Sequence, residues 1–174
     1  MAAVIDYLDS LEIGVCLRIN RLSRKATVRQ FFSMISQMGD GGFWFVMGLL
    51  VIAMQGTAAL PVIMHIAVTG GIGVLVYKLL KSRLVRERPF IAHGDIFCGT
   101  APLDQYSFPS GHTLHAVSFT MMISSVEPAL LPVMTTFAFL VAVSRVILGL
   151  HYPSDVIVGA LIGALLATTS ISLM

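Results

Sequence analysis

Charge is what this sequence has least of. Asp, Glu, Lys and Arg make up 11% of its 174 residues, and hydrophobic residues make up 56%. A soluble domain is about one-quarter charged, so an ordinary soluble globule is excluded. Mean hydropathy is +0.88, and several apolar runs approach the roughly 20 residues that a helix needs to cross a bilayer. Cysteine is nearly absent. Cys16 and Cys98 are the only two, which excludes a disulfide framework and a cysteine metal motif. The short alternating segments of a transmembrane barrel are missing, as are internal repeats and low-complexity tracts. A cleavable leader is not expected, because Asp6, Asp9, Glu12 and Arg18 interrupt the first 20 residues. The formal charge of +2 is too small to imply a nucleic-acid partner. What remains is an all-α, polytopic helical membrane protein.

Against that background the polar residues stand out by position. Val4, Ile5, Leu8, Leu11, Val15, Ile19 and Leu22 recur at helical spacing among charges, which predicts an amphipathic helix in the membrane interface. Arg18, Arg21, Arg24, Lys25 and Arg29 would then sit among lipid headgroups. A second amphipathic piece, about 27–38, leads to Gly39-Asp40-Gly41-Gly42. Asp40 is placed to cap the next helix. Phe43, Trp44 and Phe45 are placed to form an interfacial aromatic belt. About five spans follow, near 43–55, 61–80, 109–126, 129–148 and from 153 onward. Gly70, Gly71 and Gly73 in the second, and Gly159, Ala160, Gly163, Ala164 and Ala167 in the fifth, mark packing faces. His65 is read as a packing or hydrogen-bonding group. Residues 81–108 form the longest polar loop.

With five spans, three polar clusters meet on one side of the membrane. The first is Lys81, six intervening residues and Arg88-Pro89. The second is Pro109-Ser110-Gly111-His112. The third is Ser144-Arg145, five residues, His151, three residues and Asp155. Singly, each has a plain structural explanation, such as a snorkelling flank charge or a helix-start acid. Together they are the parts of a metal-free phosphoryl transfer. If Pro109 opens a helix, the N–H groups of Ser110, Gly111 and His112 are left for an anion. Cationic side chains neutralise the charge that develops on the phosphoryl group. Two histidines then divide the work, one attacking phosphorus and one protonating the leaving oxygen. If Pro153 opens the last helix, Asp155 is its third residue and can reach back to His151. This makes His151 the nucleophile, Asp155 its orienting partner and His112 the general acid. His115, one turn on, either faces the site or packs behind it. His93 and Asp104 are headgroup candidates, Tyr106 and Phe108 are loop packing, and Ser144 is a supporting residue.

These motifs resemble those of the type 2 phosphatidic acid phosphatases, a superfamily shared with the vanadium haloperoxidases. The resemblance runs over about residues 39–170. It implies that Lys81, Arg88, Ser110, Gly111 and Arg145 bind phosphate and that His112, His151 and Asp155 do the chemistry. It implies no cofactor and no metal. Residues 1–38 are read as an amphipathic interfacial segment and 39–174 as the transmembrane catalytic domain. Many bacterial members have a further first span, which this segment replaces.

The function read from these features is hydrolysis of a lipid phosphate monoester or diphosphate through a phosphohistidine. Phosphatidylglycerophosphate, phosphatidic acid and polyprenyl phosphate or diphosphate are the substrate candidates. A lipid phosphotransferase using the same intermediate and a non-catalytic lipid-binding scaffold are the alternatives. Hydrophobicity disfavours a haloperoxidase. The partners expected are a lipid phosphate and membrane lipids, with no nucleic acid and an open oligomeric state. A bacterial inner membrane is the expected location. All 11 Lys and Arg fall on the active-site side of the five-span scheme and the opposite turns carry only Glu127, a bias that favours a cytoplasm-facing site. Resemblance favours the outward face.

Overall fold

The structure is a computed structural model that describes residues 2–174, with the backbone alone for residues 2–6, 8 and 9. Its regular elements are all helical, with no strand among the described residues. Helix α1 spans Ala2–Asn20, α2 Ala26–Met38, α3 Gly42–Gln55, α4 Leu60–Arg83, the short α5 Pro89–Ala92, α6 Gly111–Val126, α7 Leu131–Ile147 and α8 Pro153–Ile171. Among the described residues three helical runs are long and apolar enough to cross a membrane: Gly42–Arg83, Pro128–Ile147 and Pro153–Ile171. The first combines α3 and α4, which a 3-10 turn at Gly56–Ala59 separates. Large apolar side chains face outward along them, including Phe45, Met64, Leu75, Phe139, Leu161 and Leu165. Water cannot solvate such a surface cheaply, and the chain is an integral membrane protein.

Helix α6 is the central post. It packs most extensively on α8 and also on α7 and α4. Side chains would prevent the α6–α8 approach. A Cβ on Gly159 or Gly163 would collide with the carbonyl oxygens of Ser110 and Leu114. Gly159, Gly163 and Ala167 are buried, so the expected packing face of α8 is present, while Ala160 and Ala164 are half-buried. In α4, Gly70 and Gly73 face α6, and Gly71 faces open space. His65 lies 3.5 Å from the Ser170 hydroxyl of α8, a hydrogen-bonding position.

The aromatic residues after Asp40 depart from the expected belt. Phe43 stacks on Phe137 at 3.7 Å between centroids, and Trp44 packs edge-on to Phe119 and Phe137. Only Phe45 is exposed. Trp44 can enter the core because its indole N–H donates to the Gly39 carbonyl at 3.0 Å, leaving no orphan donor inside.

Helix α1 docks on the bundle through a narrow face. Leu11 and Val15, with Leu22 in the 3-10 turn that follows, are exposed, whereas Cys16 and Asn20 are buried. The side chains of Val4, Ile5 and Leu8 lie outside the described ones. Asn20 explains the docking. Its amide donates to the carbonyls of Phe97 at 2.8 Å and Ile147 at 2.9 Å, and accepts from the Phe97 N–H at 2.8 Å. The clamp ties the end of α1 to the long loop and to the end of α7. It sets the basic cluster at the same end of the bundle as the three motifs.

Candidate active site

Three chain segments deliver the cationic groups to one cavity of about 320 Å³. Lys81 comes from the last turn of α4, so the polar loop begins later than expected. Arg88 precedes α5, and Arg145 comes from the last turn of α7. All three are buried. Lys81 Nζ lies 2.6 and 2.8 Å from the two oxygens of Asp104 and 2.9 Å from the Tyr106 carbonyl. Arg88 donates to the Asp104 carboxylate at 2.7 Å, to the Asp104 carbonyl at 3.1 Å and to the Leu150 carbonyl at 2.7 Å. Asp104 is thus the anion that the cations hold. Burial alone would raise its pKa, but the hydrogen bonds and charges of Lys81 and Arg88 outweigh burial and keep the carboxyl below the usual range. Arg145 donates to the hydroxyl of Ser36 in α2.

His151 sits in the turn before α8, where Pro153 is the first helical residue as expected. It is 1% exposed. Arg88 lies 3.3 Å from Nε2. A guanidinium can only donate, so Nε2 is the accepting nitrogen and the ring proton is on Nδ1. Nδ1 faces Asp155 Oδ2 at 3.5 Å, in ion-pair range and longer than a hydrogen bond. Burial first, then the charges of Arg88 and Arg145, hold His151 well below the ordinary histidine range. The ring is neutral, the state a nucleophile needs.

Asp155 is fixed from behind by groups that sequence reasoning did not single out. Its Oδ2 accepts the Tyr152 N–H at 2.9 Å, the reach-back expected of a third-position carboxylate. Its Oδ1 pairs with Arg86 at 2.6 Å, with both side chains 2% exposed or less. Arg86 also donates to Ser154 Oγ at 2.7 Å, stacks over the Tyr152 ring at 3.9 Å and meets Glu12 of α1 at 3.4 Å. Glu12 in turn accepts from the Ser154 hydroxyl at 3.0 Å. A chain of charges therefore runs from Glu12 of α1 through Arg86 and Asp155 to His151. Arg86 stands in a dense basic run, and nothing in the run separates it from a solvated loop charge.

The second motif is corrected in one respect. Helix α6 starts at Gly111 with Ser110 as its cap residue, so Pro109 precedes the helix. The Ser110 N–H is not left for an anion. It donates to the Asp155 carbonyl at 3.0 Å, locking α6 to α8. The N–H groups of Gly111, His112 and Thr113 occupy the first turn, where no intrahelical acceptor exists. Ser110 is fully buried with its hydroxyl on Thr113 at 3.0 Å, while Gly111 and His112 line the cavity. His112 Nε2 is in contact with the Asp40 carboxylate. Asp40 does not cap α3, which begins after Gly41 without a side-chain cap.

The remaining candidates divide. The His115 ring lines the cavity, with its nitrogens on the Gly111 and Gly70 carbonyls at 2.9 and 3.1 Å, cross-tying α6 to α4. His93 is not among the lining residues. Ser144 is buried and back-bonded to the Val141 carbonyl at 2.6 Å. Beyond the polar floor, Trp44, Gly70 and Phe119 are shared with an apolar groove between α3 and α4, lined further by Gly48, Ile52, Ile63 and Ile123.

Relatives carry similar sequences and this fold. The chain is 34% identical to decaprenylphosphoryl-5-phosphoribose phosphatase of Mycobacterium tuberculosis over 121 residues, which cover 67% of this chain. The match spans 66% of that relative's own length. It is 25% identical to undecaprenyl-diphosphatase of Sulfolobus acidocaldarius over 149 residues, 85% of this chain and 71% of that protein. The crystal structure of LpxE from Aquifex aeolicus superposes with a TM-score of 0.77 at 28% identity, covering 93% of this chain and 95% of that one. Lys81, Arg88, Ser110, His112, Arg145 and His151 all fall in the stretch matched by the PAP2 superfamily model, residues 58–174, and by that match the chain belongs to the PAP2 superfamily.

Proposed function

We propose that this protein is a membrane-embedded lipid phosphatase that hydrolyses a phosphate monoester or diphosphate through a phosphohistidine on His151. The observation that carries the reading is the state of His151. Its accepting nitrogen faces a cavity walled by Lys81, Arg88 and Arg145, and its other nitrogen faces a carboxylate. In the first step Nε2 bonds to phosphorus as the P–O bond to the lipid breaks. His112 gives its proton to the departing oxygen. In the second step water attacks phosphorus, its proton passes to His112, and the P–N bond pair returns to His151. The three cations and the first turn of α6 stabilise the charge on the equatorial oxygens in both steps. The groove between α3 and α4 joins the cavity to the lipid-facing surface and suits an apolar tail.

The test is phosphate release by the purified chain in detergent from a panel of lipid phosphates and diphosphates. At least one alkyl or polyprenyl substrate should be turned over, with the rate unchanged by EDTA because cationic side chains supply the charge. Failure across the panel would remove the reading.

The proposal includes five spans and a cytoplasm-facing site, since the basic N-terminal cluster sits at the motif end of the bundle. Cys98 is a poor reporter of side. It is half-buried, donates to the Thr100 carbonyl at 3.1 Å, and burial pushes its thiol pKa up. Leu103 is 71% exposed and lines the mouth of the cavity. Leu103→Cys in a Cys98→Ser background should resist an impermeant thiol reagent in intact spheroplasts and react after lysis. Labelling before lysis would place the site outside.

A further inference from the structure

His112 meets a carboxylate that comes from outside the family-matched stretch. Asp40 lies in the link between α2 and α3, ahead of residues 58–174. The link is held by groups other than that carboxylate. The Asp40 N–H donates to the Gln37 carbonyl at 3.1 Å, and the buried Trp44 indole anchors the Gly39 carbonyl at 3.0 Å. The Asp40 side chain, which would ordinarily cap a helix at this place, instead lines the cavity and pairs with His112 Nε2. Its side chain is 34% exposed, against 11% for His112.

We propose that Asp40 is a positioning residue for the leaving-group step, orienting the His112 ring from its Nε2 side and favouring its protonated form against the surrounding cations. This rests on the phosphatase reading above. In that cycle His112 begins with a proton, gives it to the leaving oxygen, and recovers it from the attacking water. It must therefore start charged inside a cationic wall. Arg145 faces it from α7, Lys81 from the end of α4 beside the neutral Tyr77, and Arg88 from the loop. His151 faces it from the turn before α8, and His115 from its own helix. The other acids nearby are already engaged, Asp104 with Lys81 and Arg88, and Asp155 with Arg86. Among the described residues Asp40 is the carboxylate in contact with His112. An opposite charge at contact favours the protonated ring.

The experiment compares wild type, Asp40→Asn and Asp40→Glu as full chains in detergent. The substrates are an alkyl phosphate, whose leaving oxygen needs a proton, and p-nitrophenyl phosphate, whose leaving group hardly does. Asp40→Asn should lower kcat on the alkyl phosphate by about 30-fold, a part of what general acid catalysis supplies, and by less than about threefold on p-nitrophenyl phosphate. Its alkaline limb should move down by about one pH unit, and Asp40→Glu should recover most of the rate. A second arm needs no activity. Histidine ring signals of 15N-labelled chain, with His112 assigned through His112→Gln, should show His112 losing its proton at lower pH in Asp40→Asn. If wild type hydrolyses neither substrate, the phosphatase reading fails and the spectroscopic arm still decides the pairing. Equal losses on both substrates with an unmoved limb would overturn the proposal in favour of a structural loop. A faster Asp40→Asn enzyme would overturn it in favour of a carboxylate that obstructs the cavity. An unmoved His112 titration would overturn it outright.

Discussion

The two histidines of the cavity live in different surroundings. His151 is sealed, 1% exposed, and all its partners come from the motif-bearing half of the chain. His112 lines the same cavity with its side chain 11% exposed, and its carboxylate arrives from the loop before the first long apolar run. The difference follows the chemistry proposed for each. A nucleophile has to be neutral, dry and fixed, which burial and Arg88 bring about. A general acid has to be charged and able to trade a proton with water, which needs a carboxylate and some access. Two histidines of one cavity thus meet different partners, a guanidinium for His151 and a carboxylate for His112.

The largest expected effect breaks the pair apart. His151→Ala should abolish turnover and the phosphoenzyme on every substrate. His112→Ala should slow an alkyl phosphate by roughly 100-fold or more and be partly rescued by p-nitrophenyl phosphate. Equal rescue of both variants would reverse the roles. The same contrast extends to pH. An ordinary histidine gains a proton as pH falls through about 6.5. His151 is held well below that value by burial and by Arg88 and Arg145, so the acid limb of kcat/KM should lie below pH 6.5. In that window the unfolded chain binds a proton that folded His151 refuses, so stability should fall as pH drops through about 6.5. A thermal-melt series against pH checks the sign.

How much of this was legible beforehand depends on how local the signal is. The placement of His151 beside Asp155 was readable because Pro153 dictates where α8 starts, and the reach-back of a third residue is a short-range matter. The packing face of α8 was readable because small residues recur at helical spacing. Asp40 and Phe43-Trp44 were misread for the opposite reason. Local rules assign an aspartate before a helix to capping and aromatics at a helix end to a belt, but tertiary contacts with α6 and α7 redirect all three. Pro109 misled in a milder way. It signals a helix start, but the helix begins two residues later because the Ser110 N–H is drawn to α8. Asn20 and Arg86 left no pattern to read, since each acts through partners far away in the chain.

The intermediate effect sharpens the His151 side. Arg86→Ala removes one partner of a pair in which Asp155 is fully buried. Leaving such a charge alone costs about 3–5 kcal/mol, which a lowered melting temperature in detergent should report. The folded fraction should also form phosphoenzyme about 10-fold more slowly, because Asp155 no longer holds the His151 ring. Full specific activity per folded molecule would mean that Arg86 serves the fold alone. The loss should be the same for good and poor leaving groups, since it falls on the attacking step.

The smallest effect sharpens the His112 side. Gly41 carries φ +148°, and a Cβ there would meet nothing within 4 Å. Alanine therefore strains the backbone without a clash, at a cost of about 1–3 kcal/mol. The link can shed that strain by shifting, and Asp40 shifts with it. Gly41→Ala should thus lower kcat on an alkyl phosphate by about threefold and leave p-nitrophenyl phosphate nearly untouched, the leaving-group signature in miniature. A double-mutant cycle decides whether the loss travels through Asp40. In an Asp40→Asn background the alanine should have almost no further effect, because the group it displaces is already uncharged. Fully additive losses would mean that the loop reaches the site by a path other than the Asp40–His112 pair. His151 should not sense the change at all, and an altered phosphoenzyme yield in Gly41→Ala would show that the two histidines are less independent than their surroundings make them.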